Sequence, residues 1–237
     1  TRTRCPGGGV GDTLPVSCVS FVEAATFANR LSERDGQIPA YTIDHSNVFW
    51  NPEADGYRLP TGAEWEFAAQ AGSDTLFSGT SERDKICLFA NIDSYGIEGE
   101  GMGRQRWSQG ECFWADGMTE PPFLCEDQSP GLAATGSYRP NQWGFFDMSG
   151  NVSEWVWDYT ETYGHTPEVD PTGPGAPEPM AFGRAYSGST RTLRGGGWDS
   201  CPRRVQNHFR SLCPSGTWYC KGPRPLAVGF RLAKSIF

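Results

Sequence analysis

Positive charge is in short supply. The 20 Lys and Arg stand against 28 Asp and Glu, for a net charge of −8. An acidic surface repels phosphate backbones, which argues against a nucleic-acid partner. Long apolar runs are absent as well. None approaches the ~20 residues that span a bilayer as a helix, so no membrane span is expected. His is rare, at positions 45, 165 and 208, and no two Cys form a Cys-x-x-Cys pair. A structural zinc site therefore has no ligand pattern to rest on. No signal-peptide pattern opens the chain, which begins at Thr1. A processed, trimmed or partial N-terminus is the expectation.

What is plentiful points to an ordered, loop-rich domain. Nine Trp and 13% aromatics exclude a disordered chain. Gly 30 and Pro 18, with charged residues at only 20%, favour turns and short strands over long helices. The 237 residues read as one domain, 1–237, with no internal repeat and no interdomain linker. Eight Cys, at 5, 18, 87, 112, 125, 201, 213 and 220, suggest disulfides and an extracytoplasmic location: periplasmic, cell-surface or secreted. Cys5–Cys18, Cys112–Cys125 and a pair drawn from Cys201, Cys213 and Cys220 are the local candidates; sequence does not decide connectivity.

Two helices carry start signals. Ser20 and Glu23 form a capping box ahead of Phe21, Ala24, Phe27, Ala28 and Leu31, with Gly36 as a left-handed stop. Thr61 and Glu64 repeat the device before Trp65, Ala68 and Ala69, and Gly72 is the expected end. Between them, Tyr41-Thr42-Ile43-Asp44 and Asn47-Val48-Phe49-Trp50 read as a hairpin around His45-Ser46. Residues 73–140 and 160–190 offer few regular signals, and 96–110 reads as an exposed loop. Thr192-Leu193-Arg194 and residues 228–233 are late strand candidates.

One stretch concentrates the chemistry: Gly144-Phe145-Phe146-Asp147-Met148-Ser149-Gly150-Asn151-Val152-Ser153-Glu154-Trp155. Asp147 and Glu154 supply carboxylates for a hard cation, and the carbonyls of Gly150 and Val152 can complete an oxygen cage. The plainer reading is that both carboxylates cap turns and accept from backbone amides. Elsewhere, His208 with Arg203, Arg204 and Arg210 makes either an anion site or, more commonly, a solvated basic cluster.

This stretch, taken in order with Tyr57-Arg58-Leu59-Pro60-Thr61-Gly62-Ala63-Glu64-Trp65-Glu66-Phe67-Ala68, Leu193-Arg194-Gly195-Gly196-Gly197-Trp198 and Val228-Gly229-Phe230-Arg231-Leu232, resembles the formylglycine-generating enzyme family, the sulfatase-modifying factors. The resemblance covers residues 15–233 and lacks the family's opening strands, so the expectation is a truncated piece, a longer chain or an assembly. It implies an irregular, loop-rich α+β domain related to the C-type lectin fold, with two main helices and short strands. It implies calcium at Asp147 (side chain), Gly150 and Val152 (carbonyls) and Glu154 (carboxylate). A second calcium is implied at Asn91 (side chain) and Ile92 (carbonyl), with Asp116 as a weak further candidate.

The family's copper-binding cysteine pair falls on Ser200 and Val205, and a Ser usual in its active site falls on Gly197. Cu(I) needs soft thiolates, so the resemblance implies the scaffold without the oxidase. The reading is a non-catalytic, calcium-stabilised recognition or structural module with a protein or peptide ligand. Its anchors would come from Trp107, Phe113, Trp114, Phe123, Tyr163, Tyr186, Trp218 and Tyr219. The alternatives are a copper-dependent oxidase that converts a substrate cysteine to formylglycine, using Cys201 with Cys213 or Cys220, and a diversified ligand-binding display varied over residues 199–226.

Overall fold

The computed structural model describes residues 11–92, 129, 131–160, 168–173, 190–214 and 227–235. The first helix, α1 (Phe21–Arg34), starts at Ser20, where both halves of the capping box are formed. The hairpin follows as β1 (Tyr41–Asp44) and β2 (Asn47–Trp50), paired antiparallel with Asp44 opposite Asn47. His45 takes the left-handed conformation that the tight turn demands, at φ 53°. Strand β3 (Tyr57–Arg58) leads into α2 (Gly62–Gln70), capped by the Thr61/Glu64 box. The helix ends one residue earlier than the glycine rule suggests. Ala71 itself adopts the left-handed cap at φ 50°, with Gly72 continuing the turn at φ 75°.

Two elements in the middle of the chain were not named from the sequence. A 3₁₀ turn, Arg83–Leu88, buries Ile86, and the candidate cation stretch runs straight into β4 (Ser153–Tyr159), which the sequence reading missed. Antiparallel β5 (Thr190–Arg194), β6 (Ser211–Pro214) and parallel β7 (Val228–Phe230) complete a four-stranded sheet in the order β6-β5-β4-β7. Residues 228–233, expected as one strand, are divided. β8 (Ala233–Lys234) leaves the sheet and pairs with β3. β4 was missed because buried residues on both faces remove the alternation that marks a half-exposed strand: Ser153 to Val156 are all buried.

The core lies between α1, the hairpin and β4. Trp155 is fully buried, meets Phe21 edge-on with ring centroids 5.8 Å apart, and donates its indole N–H to Val19 O at 2.8 Å. Trp157 stacks on Tyr41 at 5.4 Å and meets Trp50 edge-on at 5.5 Å. Arg191 from β5 lies over Phe21, Trp157 and Tyr159 at 4.3, 4.3 and 3.5 Å, and burial pulls its guanidinium down to about 10. Polar staples close the remaining gaps. The Asn29 amide clamps both backbone groups of Tyr41 (2.7 and 3.0 Å), and the Tyr41 hydroxyl accepts from Leu59 N at 2.8 Å.

Cys18, Cys87, Cys201 and Cys213 are each joined in a disulfide in the structure. Cys5, Cys112, Cys125 and Cys220 lie outside the described residues, as do Asp116 and the eight loop aromatics proposed as anchors. Among the described residues no helix is long and apolar enough to cross a membrane.

Replacing Trp155 with Ala removes the largest ring at the junction of helix and sheet and orphans the Val19 carbonyl. The expected loss is about 3–5 kcal/mol of unfolding free energy, read from the midpoint of a urea titration at unchanged slope.

Candidate functional site

The turn between α2 and β4 is built around Asn141. Its amide donates to the carbonyls of Ala68 and Ala69 and to Ser78 Oγ (2.8, 3.3 and 3.1 Å), capping the end of α2. Its oxygen accepts from Trp143 N and Phe145 N, both at 3.1 Å. The chain then reverses through three left-handed residues: Asp147 (φ 53°), Gly150 (φ 79°) and Asn151 (φ 63°). Asp and Asn tolerate that conformation. Gly150 has a second reason to lack a side chain, since a Cβ there would sit 2.0 Å from Asn91 O.

This close approach joins the two candidate metal positions. Asn91 and Gly150 form a parallel bridge, Asn151 N donates to Asn91 O at 2.8 Å, and Gly150 N donates to Gly195 O at 2.8 Å. The Asn91 side chain is fully buried. Its N–H₂ donates to Gly131 O (2.9 Å) and Asn151 Oδ1 (3.2 Å), while its Oδ1 has no hydrogen-bond partner. Asp147 is in the same state. Oδ2 accepts from Gly136 N at 2.8 Å, and Oδ1 is buried without a partner. Burial pushes the Asp147 carboxyl above its usual range, against the pull of the Gly136 N–H.

Two buried acceptor oxygens left over at two predicted ligands fit a hard cation, because such oxygens are costly unless something positive meets them. Among the described residues no three His, Cys, Asp or Glu side chains converge. The candidate set relies instead on carbonyls and an amide, which calcium accepts.

Glu154, the other carboxylate, is 4% exposed and already engaged. Trp65 Nε1 donates to its Oε2 at 2.7 Å. Arg231 forks onto it, Nε to Oε2 at 2.5 Å and Nη2 to Oε1 at 2.7 Å. The same Nη2 reaches Phe146 O (3.1 Å) and Asp147 O (3.3 Å). Neither Arg231 nor Trp65 was singled out for the site from sequence, although both lie in quoted motifs. A buried carboxylate needs a cation and an N–H donor, and that requirement was the available signal.

The two positions matched to the copper pair are closed. Ser200 Oγ accepts from Gly197 N at 2.9 Å, and Ser200 N donates back to Gly197 O at 2.8 Å. Val205 is fully buried with Phe77, Ile86, Ala90 and Ile92, and its carbonyl accepts from Ser149 Oγ at 3.0 Å. Cys201, one residue off, is 2% exposed and disulfide-bonded, so it offers no thiolate. Ile92 thus takes part in the apolar cluster that holds Val205.

Among the described residues, a group of aromatics on and near α2 is exposed. Phe67 of α2 is 64% exposed and meets Trp143 edge-on at 4.9 Å. Phe145 and Phe146, on the same turn as Trp143, are also exposed.

Comparison with known proteins identifies the family and the fold. A family model described as "Sulfatase-modifying factor enzyme 1-like domain" matches residues 2–236. "Chaperone protein LppX" of Paenibacillus barcinonensis is 31% identical over 69% of the chain and 58% of its own length. The "Formylglycine-generating enzyme" of Streptomyces coelicolor is 34% identical over 73% of the chain and 46% of its own length. The chain therefore spans about half the length of these curated relatives. Among solved structures, "Treponema denticola variable protein 1" superposes with a TM-score of 0.68 at 24% identity, covering 96% of this chain and 75% of that one. The fold is the expected irregular α+β fold of this family.

The Asp147 environment yields a signed pH prediction. Its folded value lies above the ordinary carboxylate value of about 3.9, so the native state holds the proton longer than the unfolded state. In calcium-free buffer this contribution is present below the unfolded value and is lost as pH rises through the raised folded one. Asp147→Asn, which keeps an acceptor for Gly136 N, is expected to match or exceed wild-type stability at pH 7. The gap should close toward pH 3 in paired thermal melts. A variant less stable than wild type at pH 7 contradicts the burial argument.

Proposed function

Given that the chain belongs to the sulfatase-modifying factor family, we propose that it is a non-catalytic recognition or structural module, stabilised by calcium on a formylglycine-generating scaffold. The carrying observation is the closed copper position. Val205 is walled in by apolar side chains, the Ser200 hydroxyl is committed to Gly197, and the nearest cysteine is oxidised. Cysteine oxidation by copper needs two free thiolates at that place.

Residues held by the fold fall elsewhere. Asn91, Gly150 and Asn151 form one hydrogen-bonded unit, and the leftover oxygens of Asn91 and of nearby Asp147 in the same turn suit calcium. In this reading Asp147, Gly150, Val152 and Glu154 hold one ion, and Asn91 with Ile92 begins a second site. The ion's chemistry is structural: it neutralises buried oxygens and ties the turn before β4 to the loop that carries Gly131 and Gly136. The disulfide-bonded cysteines support an oxidising, extracytoplasmic compartment.

The exposed group of Phe67, Trp143, Phe145 and Phe146 is the proposed contact surface for a protein or peptide. A relative named as a chaperone is in keeping with a partner-binding role. The alternative, a copper-dependent oxidase, draws on the relatives named formylglycine-generating enzyme and requires reduced cysteines that can leave their bridges.

Incubation with Cu(I) and a cysteine-containing sulfatase-type peptide separates the two. The peptide is expected to keep its mass, and conversion to an aldehyde-bearing product overturns the proposal. For the contact surface, Phe67→Ser with Trp143→Ser is expected to abolish retention on a peptide array. Their exposure predicts a stability change of only about 0.5 kcal/mol; retained binding removes this surface from the reading.

A further inference from the structure

The Glu154 carboxylate is asked to serve two cations. An ionised carboxylate has about four lone-pair sites. Oε2 accepts from Trp65 Nε1 and Arg231 Nε, and Oε1 accepts from Arg231 Nη2. The fork-to-fork geometry is the strongest that Arg forms with a carboxylate. It uses both oxygens that a bidentate calcium ligand would present. Arg231 also donates to the carbonyls of Phe146 and Asp147, the entry of the candidate loop. Its side chain is 24% exposed, and Glu154 is only 6% exposed, so the pair is weakly screened. Facing it, the Asp147 carboxylate has one oxygen bonded to Gly136 N and the other buried without a partner.

We propose that Arg231 is a built-in competitor of the divalent ion: its guanidinium supplies the positive charge that Glu154 needs in the metal-free protein, and calcium binds only by loosening that fork. This inference rests on the calcium reading of Asp147, Gly150, Val152 and Glu154. Calcium at the Asp147 oxygen meets a guanidinium already on the opposite carboxylate. Like charges at that range repel, and Glu154 cannot turn both oxygens to the metal while both face Arg231. The metal-free fold is consequently self-sufficient, with the ion adding stability in proportion to how far it displaces Arg231. Charge at the site never falls to the level of a bare buried Glu154 and Asp147 pair.

The test compares calcium binding by the full chain and by Arg231→Gln, using calorimetric titration with calcium chloride and thermal melts with and without the ion. Wild type is expected to bind weakly. Arg231→Gln is expected to bind more tightly, within the range of about 5- to 150-fold usual for two coupled sites. Its melting temperature should be depressed in chelator and restored by calcium, with a larger calcium-dependent rise than wild type. Asp147→Ala, which removes the ligand oxygen, should abolish the gain in the Arg231→Gln background, which assigns it to this site rather than to Asn91.

Equal or weaker binding by Arg231→Gln, with wild type still binding through Asp147, overturns the competition and leaves the calcium reading intact. No binding by either protein overturns both. Should Arg231→Gln fail to fold in calcium as well as in chelator, Arg231→Lys decides. A point charge cannot fork, so tighter binding than wild type supports the proposal and unchanged binding overturns it.

Discussion

The ion pair between Glu154 and Arg231 is the contact on which most of the structure depends. A buried carboxylate is strongly unfavourable unless a charge and hydrogen-bond donors meet it. Here the carboxylate sits on the central strand, its indole donor comes from α2, and its guanidinium lies just beyond β7. Three segments far apart in the chain therefore have to arrive together. The contact orients α2 over the sheet and places the turn before β4, because Arg231 also holds the Phe146 and Asp147 carbonyls.

Other buried arginines repeat the pattern and explain how so little regular structure can be firm. Arg194 is fully buried. It pairs with Glu66, donates to the carbonyls of Gly62, Asn207 and Phe209, and lies 5.3 Å from the Trp65 ring. Arg58 forks onto Glu64 at 2.7 Å on both arms, so the residue that caps α2 is itself anchored to β3. Asp158 reaches back from β4 to accept from Gly62 N at 2.5 Å, and a Cβ on Gly62 would press on that carboxylate at 2.9 Å. Loops leave backbone groups unpaired, and these long side chains satisfy them. The fold thus exchanges ladder hydrogen bonds for guanidinium and amide bonds to carbonyls.

The same economy bears on function. The turn that carries Asp147 and Gly150 touches Asn91. The next residue, Ile92, packs with Val205, whose carbonyl is held by Ser149. The two proposed cation positions and the positions matched to the copper pair share one wall. Ser200 and Val205 stand in that wall without sulfur, since its packing uses backbone and apolar groups.

Both helices, their capping boxes and the β1–β2 hairpin with its turn at His45 were legible in the chain itself. Those features depend on residues within a few positions of each other: a hydroxyl three residues before a carboxylate, or a short alternation around a turn. The family resemblance, carried by ordered motifs, supplied the fold and the candidate ligands Asp147, Gly150, Val152, Glu154, Asn91 and Ile92. It did not show what each ligand oxygen touches. Strand β4, uniformly buried, had no periodicity to read, and the division of residues 228–233 between two sheets is a matter of pairing partners. The exposure of Phe67 and Trp143 depends on which side of α2 faces the sheet. That Arg231 stands on Glu154 was decided by tertiary structure alone, because it sits 77 residues away in the chain. Local signals set the elements; the meeting of buried charges, which no local window contains, set the site.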